Sequence, residues 1–249
     1  MMEQRITSRK NPLLQQVRKL LSSRKERETT GLFVADGVKL LQEAVRYGQL
    51  DTVILSENVQ VSLPESVRTV RVPEDVMADI SPMEAPQGAL FLCRMPQEES
   101  FVAQRGMLLL DGIQDPGNLG TILRTADALD IPVALLEGCA DLYNHKTVRS
   151  SMGAVFRMPI WRTTWQEAKT ALDKAGVPVA VTALTDTAQD LRQKDLKMAA
   201  VVIGSEGSGV RREILDQAQE ALIIPMNPHC ESLNAAVAAA IVMWQMTDR

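Results

Sequence analysis

Three polar clusters, each following an apolar run, hold the side chains of this sequence best suited to chemistry: DGIQDPGNLG (111–120), GSEGSG (204–209) and PMNPHCESLN (225–234). They supply Asn118, Glu206 and Asn234, with Arg124 six residues beyond Asn118. Amides and a carboxylate can set the direction of hydrogen bonds, and a guanidinium can stabilise developing negative charge. Ligands of open α/β sheets bind beyond the carboxyl ends of the strands, so the clusters are expected to converge on one site. Phosphate cradling suits them poorly. The second cluster lacks the Lys-Ser/Thr of a phosphate loop, and in the first Pro116 removes a backbone donor. His145, His229 and the neighbouring Cys230 show no metal-ligand spacing, so no metal is expected.

These groups need elements to carry them. Leu119, Ile122, Leu123, Ala126 and Leu129 form the apolar stripe of a helix that Asn118 is suited to cap, and Arg124 lies off that stripe. Arg124 is therefore free to reach a ligand, or else it is a surface arginine paired with Asp127 or Asp130; Asn118 could equally be a cap and nothing more. Around this helix the runs MLLLDGI, IPVALLEG, VPVAVTAL, AAVVIGSEG and ALIIPM alternate with helical stretches near Lys146, in WQEAKTALDKAG, in VRREILDQAQ and from Ser232 onward. Apolar strands with helical crossovers predict a mostly parallel sheet covered on both faces. The first part is also α/β, with helices in NPLLQQVRKLLSSRK and GLFVADGVKLLQEAVRYGQL and β-like runs DTVILS, VRTVRV and GALFLCRM. The polar stretch PQEESFVAQRG divides the chain into residues 1–95, a linker at 96–106 and residues 107–249.

Net charge is −4, but the first 30 residues hold eight Lys or Arg against three Glu, a local +5 that leaves −9 for the rest. A basic arm on an acidic body suits phosphate contact through one end of the molecule, although a solvated amphipathic helix would look the same. The longest apolar run, Ala235 to Trp244, is half of the roughly 20 residues a bilayer span needs. The start has no apolar core of a secretory signal, and three scattered cysteines suit a reducing compartment, so cytoplasmic residence is expected.

The segments NLGTILRTADAL, IGSEGSGV and IPMNPHCESLNAAVAAAI resemble, in order and separation, the three motifs of the SpoU (TrmH) branch of the SPOUT RNA methyltransferases, over roughly residues 107–249. Residues 1 to about 95 resemble, more loosely, the N-terminal substrate-binding domain of that family, a ribosomal-protein-like α/β fold, through ITSRKNPLLQQVRKL, GLFVADGVKLLQEA and PQGALFL. The chain departs from many relatives at Asp36, where they have glutamate, and at Ala236, where they have serine. What the resemblance implies is an α/β domain with a deep trefoil knot, dimerisation through it, and S-adenosylmethionine held there in a bent pose. On topology alone the expectation would be an unknotted doubly wound sheet, because knots are essentially absent among folds.

By the same resemblance the cofactor lies against Leu184, Gly204, Ile224, Met226 and Leu233. Strand-end amides beside apolar side chains could recognise adenine, while Ile224 and Leu233 could also be plain core. The catalytic group is Arg124 with Asn118, Glu206 and Asn234, and Glu206 is expected to orient Arg124, across a dimer interface if not within one chain. Arginine is an expensive base, so two roles stay open, transient proton acceptor or stabiliser of the target phosphate and developing alkoxide. Ser150 and Ser151 match a family segment near the active site, or merely end a helix. The implied reaction is ribose 2′-O-methylation of ribosomal RNA by a homodimer, with Arg9, Lys10, Arg18, Lys19, Arg24 and Lys25 as RNA contacts. The alternatives are methylation of transfer RNA or of a base, or a non-catalytic RNA-binding, ribosome-assembly protein of the same fold.

Overall fold

The computed structural model describes residues 4–185, 187–227, 229–230 and 232–247; Glu3 of the basic arm, Asp186 of TALTD, and Pro228 and Glu231 of the third cluster lie outside these. The chain forms two compact units, residues 1–97 with 141–157, and residues 98–140 with 158–249.

The first unit is built on a five-stranded sheet of β1 (Gln4–Arg5), β2 (Leu32–Asp36), β3 (Leu50–Ser56), β4 (Arg68–Val72) and β5 (Ala89–Arg94), in the order β1-β4-β3-β5-β2. β5 runs antiparallel to both its neighbours, and the other pairs are parallel. The helix Pro12–Ser22 starts where Asn11 accepts from the Leu13 amide at 2.9 Å and buries Leu13, Leu14, Val17 and Leu20. It stops at Ser23, which caps the helix Arg24–Thr30, and Gly31 closes that helix in a left-handed conformation. The segment 141–157, expected with the C-terminal domain, packs into this unit instead. Phe33 of β2 meets Tyr143 and Phe156 at ring-centroid distances of 4.8 and 6.1 Å, and buried Arg27 pairs with Asp141 at 2.5 Å. Arg27, counted above in the basic arm, is therefore internal, and losing Asp141 would leave its charge buried and unpaired.

The second unit holds β6 (Leu108–Asp111), β7 (Val133–Leu135), β8 (Ile160–Arg162), β9 (Val179–Thr182), β10 (Gln189–Asp190), β11 (Ala200–Gly204) and β12 (Glu220–Ile223), all parallel, in the order β10-β12-β9-β11-β6-β7-β8. Met107 to Leu110 and Ala200 to Val202 are fully buried, as unbroken apolar runs must be in a sheet covered on both faces. The order turns back between β6 and β11, and the carboxyl ends of strands near such a reversal are the usual place for a ligand. β8 and β10 were not anticipated, since two or three residues carry no period to read. Among the described residues no helix is long and apolar enough to cross a membrane.

Candidate active site

The two helices that carry the amides begin elsewhere than the sequence suggests. The first is Pro116–Leu129, capped by Asp115, whose carboxylate accepts from the Asn118 amide at 2.7 Å. Pro116 takes the first helical position, where an N–H would have no partner in any case. Asn118 is thus not the cap, and its side chain is released. The last helix is Ala235–Met246 rather than starting at Ser232, and its cap is Asn234, whose Oδ1 accepts from the amides of Ala236 (2.9 Å) and Val237 (3.3 Å).

That cap sets the polarity of everything upstream. With Oδ1 committed to the helix, Asn234 has only its Nδ2 to offer, and it donates to Asn118 Oδ1 at 2.9 Å. Asn118 must then present Nδ2 outward, and donates to Glu206 Oε1 at 2.7 Å. Three residues from three separate clusters so form one directed chain ending on a carboxylate. Ala236 lies at the second helical position with its side chain buried, and the hydroxyl many relatives carry there is absent.

Glu206 sits on a loop closed by paired backbone bonds between Ser205 and Gly209, at 3.1 and 3.0 Å, with Ser205 Oγ 2.8 Å from Ser208 Oγ. The loop starts at Gly204, where a Cβ would stand 2.1 Å from both Gly209 C and Val210 N. No side chain fits at that position. Beside the loop lies a cavity of about 630 Å³, walled by Thr182–Thr185, Ile203–Val210 and Leu222–Ile224, and closed by Met226 and Leu233. Leu184, Gly204, Ile224, Met226 and Leu233 all line it, with Leu184 70% exposed on the rim.

Residues 106–244 match the model of the SpoU rRNA Methylase family, and residues 11–90 that of an MRM3-like substrate binding domain. The chain belongs to the SpoU rRNA methylase family. It is 34% identical over 245 residues, 97% of its length and 98% of the relative's, to the 23S rRNA (guanosine(2553)-2′-O)-methyltransferase RlmP of Bacillus subtilis. Its fold matches an AdoMet-bound rRNA methyltransferase from Sinorhizobium meliloti (TM-score 0.86, 29% identity, 98% and 97% of the two chains). It also matches the SpoU methyltransferase AviRb of Streptomyces viridochromogenes in complex with AdoMet (TM-score 0.82, 27% identity, 95% and 97%). Like these SpoU relatives, the protein is an S-adenosylmethionine-dependent RNA methyltransferase. The cavity suits that cofactor. Its volume is that of a small-molecule site, strand-end backbone groups can read the adenine edge, and Glu206 is its one charged residue among those described, compatible with a sulfonium cation.

In this SpoU chain Arg124 stands apart from the chain of amides. It is exposed, on the side of its helix away from buried Leu119, Ile122, Leu123 and Ala126, and makes no ion pair or hydrogen bond among the described residues. The expected pairing of Glu206 with Arg124 does not form within one chain; Glu206 Oε1 accepts from Asn118 instead. Helical geometry explains the separation, since six residues place Arg124 about 9 Å further along the axis and about 120° around it from Asn118. Ser150 is the last residue of the helix His145–Ser150, and buried Ser151 caps it with its Oγ on the Val148 carbonyl, while His229 and Cys230 are exposed.

The directed chain makes one substitution informative. Asn234→Asp keeps a good helix cap, so melting should shift by no more than about 2 °C. A carboxylate cannot donate, however, so Asn118 must turn to serve Asp at 234 and then points its oxygen at Glu206. Loss of a hydrogen bond to a charged group is worth about 1.5–3 kcal/mol, so methyl transfer should fall by about 10- to 100-fold, measured as initial rate on undermethylated RNA. Unchanged transfer would mean that the order of the amides is irrelevant.

Proposed function

We propose that this protein methylates a ribose 2′-hydroxyl of ribosomal RNA, as a homodimer in which Arg124 of one copy serves the site of the other. The observation that carries this reading is the hydrogen-bonded meeting of the Asn118, Asn234 and Glu206 side chains, of which Glu206 lines the cavity walled by β9, β11 and β12. The B. subtilis relative, similar from end to end, is named for 2′-O transfer to 23S rRNA and supports the choice of atom and RNA class. Bound S-adenosylmethionine supplies an electrophilic methyl group. Leu184, Gly204, Ile224, Met226 and Leu233 hold it, and the amide chain keeps Glu206 in one orientation beside it. A guanidinium is a poor base but carries five N–H donors, so Arg124 acts by stabilising charge on the attacking oxygen rather than by taking its proton.

A dimer is supported by a second groove, between the helices Pro116–Leu129 and Ala235–Met246, where Val237, Ile241 and Trp244 are 49, 38 and 59% exposed. Large apolar side chains in a row on one helix are a surface that a second copy would cover. The knotted threading of the family is part of the same reading, as is residence in the cytoplasm, which three free cysteines suit.

RNA binding belongs to the first unit. Arg9 pairs with Asp75 at 2.8 Å, Arg18 with Asp79, and Arg24 with Glu28 at 2.8 Å, whereas Lys10, Lys19 and Lys25 are exposed with no ion pair among the described residues. Exposed pairs are worth about 0–1 kcal/mol, so the arginines can exchange carboxylate for phosphate. Replacing Lys10, Lys19 and Lys25 by glutamine should weaken RNA binding and reduce the slope of log affinity against log salt by about 0.7–0.9 for each phosphate that is no longer neutralised. An unchanged slope would remove these lysines from the interface.

The deciding experiment transfers labelled methyl from S-adenosylmethionine to ribosomal and transfer RNA from a strain lacking this gene, followed by nucleoside analysis. A labelled 2′-O-methyl nucleoside in ribosomal RNA alone is expected. Label in transfer RNA or on a base would redirect the assignment, and absence of both cofactor binding and transfer would favour the non-catalytic reading.

A further inference from the structure

The glycine-rich loop that carries Glu206 is short, exposed at residues 206–209, and held internally by Ser205–Gly209 backbone bonds and by Ser205 Oγ on Ser208. Something must set its height over the sheet, since a displacement of about 1 Å would break the 2.7 Å bond from Asn118. The end of the loop shows what does so. Asp111, the last residue of β6, is 1% exposed, and its Oδ2 accepts from the Arg211 amide at 2.8 Å while its Oδ1 accepts from Arg211 Nε at 2.6 Å. Arg211 Nη2 reaches on to Glu137 Oε2 at 2.7 Å, and the same carboxylate oxygen accepts from the Trp165 amide at 3.3 Å. Asp111 is also the register partner of Gly204, the first residue of the loop. The loop therefore leaves β11 opposite Asp111 and is tied back to Asp111 seven residues later.

We propose that Asp111, Arg211 and Glu137 form a positioning clamp that sets the Ser205–Val210 loop at the height where Glu206 meets Asn118 and the cofactor cavity stays open. None of the three carries out chemistry on the methyl group, and Arg211 is a positioning residue. Backbone and side chain of Arg211 bind the same buried carboxylate, so the tie acts on the main chain of the loop's end and not merely on a side chain. A planar guanidinium can span two carboxylates with separate N–H groups, which a lysine ammonium on a flexible stem does poorly. Burial pushes the Glu137 carboxyl up, yet hydrogen bonds from Arg211 and from the backbone outweigh it and hold it below the ordinary carboxylate range. Glu137 stays charged on the clamp at neutral pH.

The inference rests on the cofactor reading above, and its test separates the two. S-adenosylmethionine affinity would be measured by calorimetry for the wild type, Arg211→Gln, Arg211→Lys, Asp111→Asn and the Arg211→Gln/Asp111→Asn double variant. Amide hydrogen exchange across residues 204–210 would be followed in the cofactor-free proteins. The expected result is a loss of affinity of about tenfold or more in Arg211→Gln, partial recovery in Arg211→Lys, and a double variant no worse than the weaker single, because both remove one interaction. Exchange should quicken in 204–210 and remain unchanged in the buried strands. The lysine variant keeps a cation opposite Asp111 and so guards against simple unfolding. Variants that melt earlier but bind the cofactor as the wild type does, with an unaltered loop, would overturn the clamp alone. A wild type that fails to bind S-adenosylmethionine would overturn both readings.

Discussion

Replacing Arg124 by alanine is expected to reduce methyl transfer by at least about a hundredfold while leaving S-adenosylmethionine affinity within about twofold of the wild type. The separation follows from position. Arg124 faces away from the buried stripe of its own helix and lines neither the cavity nor the Asn234–Asn118–Glu206 chain, so its loss removes nothing that holds the cofactor. In the proposed role its contribution is made in the transition state, where charge grows on the attacking oxygen, and should appear in kcat rather than in cofactor binding. The proposed dimer makes a second expectation. Mixing Arg124→Ala chains with Glu206→Gln chains, each inactive alone, would create one intact site in every mixed dimer, and random exchange should restore about a quarter of wild-type activity. No recovery on mixing would place Arg124 and Glu206 in the same site of one chain, and full activity of Arg124→Ala would remove it from the reaction.

The second large effect is expected at Gly204. Its backbone needs no left-handed conformation, so an alanine there meets no intrinsic strain, yet its Cβ would lie 2.1 Å from two backbone atoms and 2.4 Å from the Gly209 carbonyl oxygen. Backbone cannot rotate away as a side chain can, so the Ser205–Gly209 loop must lift from the strand. Gly204→Ala should therefore cost about 1–3 kcal/mol of stability and more than tenfold in cofactor affinity, and Gly204→Val should bind none. Gly207, in the same loop, has nothing within 4 Å of an added Cβ. Gly207→Ala should fall within about 0.5 kcal/mol of the wild type and serves as the control. Equal behaviour of the two alanine variants in thermal melts and calorimetry would show that close approach at Gly204 does not shape the site.

Some of this was open to reading in one dimension. Long apolar runs such as Met107–Leu110 and Ala200–Ile203 announce buried parallel strands because a sheet covered on both faces has no polar side to alternate with. The three polar clusters were expected to converge, since each ends such a strand. Helix starts were misplaced, at Asn118 and Ser232, because several cap-forming residues lie close together in each cluster, and the local pattern cannot say which will turn its side chain inward.

What the sequence by itself determined is the longer elements, the α/β character of the first part and the parallel strands of the second, and the identity of the polar groups at the strand ends. Those properties depend on residue type and on spacing along the chain. Only the tertiary structure decided the direction of the Asn234–Asn118–Glu206 chain, the seating of Arg27 against Asp141, the tie from Arg211 to Asp111, and the packing of residues 141–157 with the first unit. Each of these joins residues about 90–120 positions apart. Their strength comes from hydrogen-bond geometry and removal from water, which exist only once the strands have been laid side by side.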